Sequence, residues 1–162
     1  MGDNVSSAGA TKTVCVETYS DEFFNDILAL VGNFYNEAVK CYDIGFDKDV
    51  LTKTITKLKA TNAGNAFLLI INGRCEGILA GMEAISMLNK KRTFQEIIWY
   101  INQPHRFYGV ALMRKAEAML KADGFDAMIM GVLEASKPDK LKRFYERMGF
   151  KLFESQYIRS LK

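Results

Sequence analysis

Trp99-Tyr100-Ile101-Asn102-Gln103-Pro104-His105-Arg106-Phe107-Tyr108-Gly109-Val110-Ala111-Leu112 is the stretch on which the fold turns, because its hydrophobic period changes midway. The run Ile97, Ile98, Trp99, Tyr100 reads as the end of a buried strand over 93–101. From about Tyr108, Leu112, Ala116, Met119 and Leu120 recur at helical spacing, with Arg114, Lys115, Glu117 and Lys121 on the other faces. This predicts an amphipathic helix over 108–122, ended by Asp123-Gly124. A buried strand therefore passes through a short loop straight into a helix. The first N–H groups of a helix lack internal partners and carry partial positive charge, so the junction is a candidate anion site. Gly109 lets the backbone approach a ligand closely and Arg106 adds charge.

Working outward, 127–132 reads as a short strand, and Pro138 suits the first turn of a helix with Leu141, Phe144, Tyr145 and Met148 inward and Gly149 as its stop. A last strand is expected over 150–158. Upstream, the apolar runs 66–71 and 75–87 flank Asn72-Gly73, a strong hairpin signal. Two amphipathic helices precede them, one over 21–39 after Ser20 and one capped by Asp47 that carries Val50, Leu51, Ile55 and Leu58. A strand over 14–19 comes first. The order of strand, two helices, three strands, helix, strand, helix, strand predicts an α/β (α+β) sandwich around one mixed, mostly antiparallel sheet flanked by helices.

Composition agrees with one folding unit of 162 residues, 49% apolar and 25% charged. Residues 1–12, with little to bury, are expected to be a flexible tail before a single domain over 13–162. No apolar stretch approaches the ~20 residues of a bilayer crossing, and the start lacks a secretory pattern, so the expected location is cytoplasmic and without a membrane partner. The net charge of +3 is too small to argue for nucleic acid, which makes that partner unlikely on charge. Cys15, Cys41 and Cys75 are far apart and lack metal-site spacing, so no metal is expected and the thiols read as reduced, with Cys75 packed in a strand.

Arg106-Phe107-Tyr108-Gly109-Val110-Ala111 resembles the Arg/Gln-x-x-Gly-x-Gly/Ala signature of the GNAT N-acetyltransferase superfamily, which likewise follows a strand and opens a helix. Phe144-Tyr145, followed by Gly149-Phe150, resembles the same family's closing helix and turn. The likeness covers about 66–153 and implies a GNAT-like sheet and transfer of an acetyl group from acetyl-CoA to an amine. It further implies that the backbone of Gln103, Arg106, Phe107, Tyr108, Gly109, Val110 and Ala111 cradles the pyrophosphate. Ile101, Asn102 and Gln103 would then bond the pantetheine arm, with the N–H near Ile101 turned to the oxyanion. Tyr145 matches the general acid to the departing thiolate, and Glu96 is favoured over Glu83 as the base that takes the proton of the ammonium. Because Gln95 and Glu96 point to opposite faces, one residue of register decides which of them looks into the site.

The sequence departs from the family in three places. Phe107-Tyr108 is bulky at the adenosine rim, Pro104 comes one place late, and Ser136 to Lys140 replaces a cofactor-contacting Asn, which leaves Lys137 or Lys140 to meet a phosphate. His105 is expected to be solvated. On the acceptor side, Tyr35 and Asp43 are the candidates, Asp43 as counter-ion to an ammonium and Tyr35 as an apolar wall beside Tyr42 and Phe46. The expected acceptor is an amine-bearing small molecule or protein, and similar proteins suggest a homodimer. Acetylation of aminoacylated tRNA, as in toxin-like members, and a GNAT fold that binds a cofactor or partner without turnover are the alternatives.

Overall fold

The computed structural model describes residues 12–87, 89–159 and 161. The expected tail thus lies outside the described residues except for Lys12. The elements are β1 (Val14–Thr18), α1 (Phe24–Phe34), α2 (Lys48–Thr61), β2 (Gly64–Ile71), β3 (Arg74–Ile85), β4 (Arg92–Ile101), α3 (Gly109–Ala122), β5 (Ala127–Ile129) and α4 (Pro138–Arg147). The five strands form one sheet in the order β1-β2-β3-β4-β5, antiparallel except for the parallel β4–β5 pair.

Local chemistry accounts for most boundaries. Asn72 (φ 50°) and Gly73 (φ 76°) are both left-handed, as a two-residue hairpin between β2 and β3 requires. Asp47 Oδ1 accepts from Asp49 N at 2.8 Å and from Val50 N at 3.1 Å, capping α2. The helix expected over 21–39 is instead composite: a 3-10 turn (Asp21–Phe23), α1, a π-helical turn (Tyr35–Val39) and a second 3-10 turn (Lys40–Tyr42).

The sheet separates two apolar layers. Phe67, Leu69, Ile71, Leu79, Phe94 and Ile101 pack against Leu112, Met113, Ala116 and Leu120 of α3 and Tyr145 of α4. On the other face Leu68, Ile70, Ile78, Ile98 and Tyr100 meet Phe23, Ile27 and Leu30, with Cys75 buried among them as expected. Helix α2 has no fully buried residue, and Val50 is 59% exposed.

An irregularity in β4 sets how its side chains are dealt between these layers. Ala80 pairs with Ile98, yet the next residue, Gly81, pairs with Glu96, so Ile97 is an extra residue and a bulge. Side chains alternate along a strand, so the extra residue inverts the alternation. Phe94 lies on the α3/α4 face before the bulge and Trp99 and Ile101 lie on it after the bulge, while Ile98 and Tyr100 face α1. Gly81 makes this possible: a Cβ there would sit 2.3 Å from the carbonyl oxygen of Gln95 and 2.6 Å from the Phe94 ring. A second register shift, between Leu69 and Ile70, leaves Glu76 between the paired Cys75 and Gly77.

Two expectations are corrected. The strand expected over 127–132 keeps only Ala127–Ile129. The strand expected over 150–158 does not form: residues 151–159 are irregular and exposed throughout, with Leu152 at 86%, Phe153 at 76% and Tyr157 at 97%. Phe150 and Leu152 would share one face of a strand, but Glu154 and Gln156 follow them on it, so the apolar face does not continue. A three-residue β5 also offers little ladder to extend.

Replacing Gly81 by Ala should destabilise the domain by about 1–3 kcal/mol or more, since the obstructing atom is backbone. Urea unfolding measures this, and wild-type stability in the variant would show that the bulge relaxes freely.

Candidate active site

β4 and β5 are paired only from Thr93↔Ala127 to Gln95↔Ile129, and beyond that point the two chains part. The groups that close this gap are side chains. Glu96 Oε2 accepts the Gly131 N–H at 2.7 Å, and the Tyr145 hydroxyl donates to the Gly131 carbonyl at 3.1 Å. One peptide segment thus holds both a carboxylate from β4 and a phenol from α4. Glu96 rather than Gln95 reaches this segment, in keeping with its place on the Phe94 side of the bulge. Gly131 sits so close that a Cβ would lie 3.0 Å from Glu96 Oε2.

Burial pushes the Glu96 carboxyl up to about 7, and the Gly131 N–H restrains that rise. Burial and then the nearby Glu96 charge push the Tyr145 phenol well above its ordinary value, so it stays protonated. A carboxyl near 7 beside a hydroxyl that stays protonated is an arrangement that can supply a base and an acid from one site. Glu83, the other candidate base, is bound to Arg92 at 2.8 and 3.0 Å, and that contact holds its carboxyl below the ordinary range.

Trp99 forms the wall beside this pair, with ring centroids 5.4 Å from Phe144 and 5.9 Å from Tyr145. Gly109 opens α3 against it, since a Cβ there would already touch the Trp99 ring at 3.4 Å. Among the described residues, the buried side-chain nitrogens without a hydrogen-bond partner are Trp99 Nε1 and His105 Nδ1. Both belong to the segment that decides the fold. His105 is only partly solvated, against expectation: the residue is half-buried and its Nδ1 is enclosed.

The loop itself also differs from expectation. Gln103–Tyr108 is a 3-10 turn continuous with α3, in which the Gly109 N–H donates to the Arg106 carbonyl and the His105 N–H to Asn102. The N–H groups that an open loop would present are thus partly engaged. The turn is anchored at its start, where Asn102 N donates to the Glu76 carbonyl at 2.9 Å, Asn102 Nδ2 to Glu76 Oε2 at 2.7 Å, and Asn33 Nδ2 to Asn102 Oδ1 at 3.2 Å. Arg106 does not point into the loop. Its Nε donates to the Ile101 carbonyl at 3.1 Å, and its guanidinium pairs with Glu37 of the π-helical turn, which also accepts from the Tyr100 hydroxyl. The expected extra charge for an anion is therefore already neutralised. Phe107 is 69% exposed and lies against Tyr108, ring centroids 4.2 Å apart, with Lys12 Nζ 5.8 and 5.3 Å from the two rings. Val110, Ala111 and Lys140 are exposed.

On the acceptor side, Tyr35 stacks on Phe46 at 5.4 Å, and Asp43 is exposed with a left-handed φ of 55° that ends the Lys40–Tyr42 turn. No hydrogen bond, ion pair or ring contact joins either to Glu96 or Tyr145 among the described residues. Tyr42 makes the link instead, its hydroxyl accepting from Ala135 N at 3.2 Å in the segment between β5 and α4. Sequence reading missed the roles of Gly131, Trp99 and Glu37. A Gly straight after the apolar run over 127–130 was an available signal for the first, whereas nothing local marks Glu37.

Against known proteins, no family model matches the sequence, and no curated protein sequence does. Solved structures do resemble the fold. An acetyltransferase from Trypanosoma brucei is 16% identical with a TM-score of 0.70, covering 92% of this chain and 100% of its own. A Bacillus halodurans protein described as a transcriptional regulator is 14% identical with a TM-score of 0.74, covering 92% and 100%. Glucosamine-6-phosphate N-acetyltransferase from Arabidopsis thaliana is 13% identical with a TM-score of 0.71, covering 93% and 99%. The chain has the GNAT fold, the mixed α/β sandwich that Arg106 to Ala111 and Phe144 to Phe150 led one to expect. Among the described residues no helix is long and apolar enough to cross a membrane.

The raised Glu96 carboxyl carries a stability signature. Unfolded, it titrates near 4.5, and folded, near 7, so between these values the folded state holds the proton more tightly. Stability should therefore fall as pH rises from about 4.5 to about 7 and level off above. In Glu96→Gln, which keeps an acceptor for Gly131, that fall in Tm should disappear; an unchanged pH dependence would place the titration elsewhere.

Proposed function

We propose that this chain is an acetyl-CoA-dependent N-acetyltransferase acting on a primary amine of a small molecule or protein. The observation that carries the reading is the meeting of Glu96 and Tyr145 on Gly131, where β4 and β5 part. The acyl donor supplies an acetyl group activated as a thioester. The residues suit such a ligand on the arm side, where the strands separate and Trp99 Nε1 lacks a partner. Ile101, Asn102 and Gln103 would bond the arm, and the Gln103 to Ala111 backbone, with Lys140 near the start of α4, would meet the phosphates.

Glu96 acts as the base. With its carboxyl near 7 it is partly ionised at neutral pH and can take a proton from an ammonium, directly or through water. Tyr145 acts as the acid. Its raised value keeps the hydroxyl protonated, and it must turn from the Gly131 carbonyl to deliver its proton to sulfur. Tyr35 and Asp43, on the α1 side, are the acceptor contacts we propose.

One observation favours a second reading, a GNAT-fold protein that binds a partner without turnover: the phosphate loop is a closed 3-10 turn and Arg106 is engaged by Glu37. Calorimetric titration of acetyl-CoA and CoA separates the two readings. Micromolar binding supports the enzyme, and the absence of binding overturns it. For a binder, thiol release with a panel of amines and peptides should rise with pH through about 7. Glu96→Gln should lose that limb and about 10²-fold or more in rate, and Tyr145→Phe should lose rate while keeping acetyl-CoA affinity.

A further inference from the structure

The indole N–H of Trp99 is a hydrogen-bond donor buried without an acceptor. A buried polar group without a partner is rare in a folded protein, so one beside a candidate site calls for an explanation. Its surroundings supply one. Trp99 and Ile101 follow the bulge that turns them toward α3 and α4, and the Trp99 ring lies between the Gly109 start of α3 and the Phe144 and Tyr145 rings of α4. The neighbouring acid and base, Tyr145 and Glu96, are both donor or acceptor to Gly131 and leave the indole unmatched.

We infer that Trp99 Nε1–H donates to the acyl carbonyl oxygen of a thioester seated between β4 and α4, and so fixes the acyl group relative to Glu96 and Tyr145. This inference rests on the acetyltransferase reading. It assigns Trp99 a recognition role apart from the proton movements: the indole distinguishes an acylated thiol, which has a carbonyl oxygen to offer, from the free thiol, which has none. Empty, the site bears an unmatched donor, and an acyl thioester relieves it where a free thiol does not. The expected result is tighter binding of acetyl-CoA than of CoA, which lets product leave.

The chain has one tryptophan, so the test needs no background correction. In a proton–nitrogen correlation spectrum the single indole resonance should move downfield when acetyl-CoA is added and stay near its free position with CoA. In parallel, Trp99→Phe keeps the aromatic wall and removes the donor. By calorimetry the variant should bind CoA as wild type does, and its preference for acetyl-CoA over CoA should drop about tenfold. Equal weakening for both ligands would place the donor on an amide carbonyl of the arm and overturn the acyl assignment. A preference and an indole shift both unaffected would overturn the donor role altogether. Should the wild type bind neither ligand, the acetyltransferase reading itself fails, a result distinct from either. The wild-type spectrum decides the matter even if the variant does not fold.

Discussion

The whole candidate site depends on one extra residue in a strand. Ile97 has no partner on β3, and the bulge it forms lies opposite Gly81, the position where any side chain would collide with the backbone of Gln95. Were these residues in a regular strand, Trp99 and Ile101 would share a face with Gln95, and Glu96 would lie on the opposite face with Ile98 and Tyr100. With it, Phe94, Trp99 and Ile101 line the α3/α4 layer, and Glu96 reaches the gap beside β5. A bulge re-aims side chains at the cost of local pairing, and here the pairing is lost at the point where β4 must also part from β5.

Two ionisable clusters flank this strand and divide the labour. On one side, Glu96 and Tyr145 are set apart by burial, one drawn toward neutrality and the other kept protonated, with Gly131 holding both. On the other side, Glu37 gathers Tyr100 and Arg106, tying the π-helical turn after α1 to the turn before α3. The second cluster is more exposed and fixes geometry more than it adds stability. Its effect is to bind the π-helical turn after α1 and the turn before α3 to the same stretch of backbone, Tyr100 to Asn102.

What was legible in the sequence was whatever depends on local periodicity and capping. The strand-to-helix junction at 99–112, the Asn72-Gly73 hairpin, the Asp47 cap and the Pro138 start and Gly149 stop of α4 all follow from neighbours a few residues apart. The order of elements from β1 to α4, and hence the fold class, followed from them. Less legible was anything set by distant partners. A bulge leaves no mark on periodicity beyond a parity that reads equally well either way, which is why Glu96 and Gln95 could not be told apart. Arg106 finds Glu37 sixty-nine residues away, and that pairing withdrew it from the loop. The strand expected over 150–158 begins with alternation at Phe150 and Leu152, but Glu154 and Gln156 interrupt that face before it is long enough to bury.

Helix α2 holds its place by its ends. Asp47 caps one end, Asn62 closes the other in a left-handed conformation, and Lys59 is bound to Asp21 at 2.7 Å, while no residue between is fully buried. Stability is unevenly spread in any domain, and a segment with so little buried surface opens long before the core does. In hydrogen exchange its amides would report a separate, low-energy opening, uncoupled from the slow β2–β3–β4 amides. Its contact with the sheet runs through a few side chains, Ile55 on the second apolar layer and Leu58 against Gly64 of β2, so substitutions on its outer face would leave the sheet beneath unchanged.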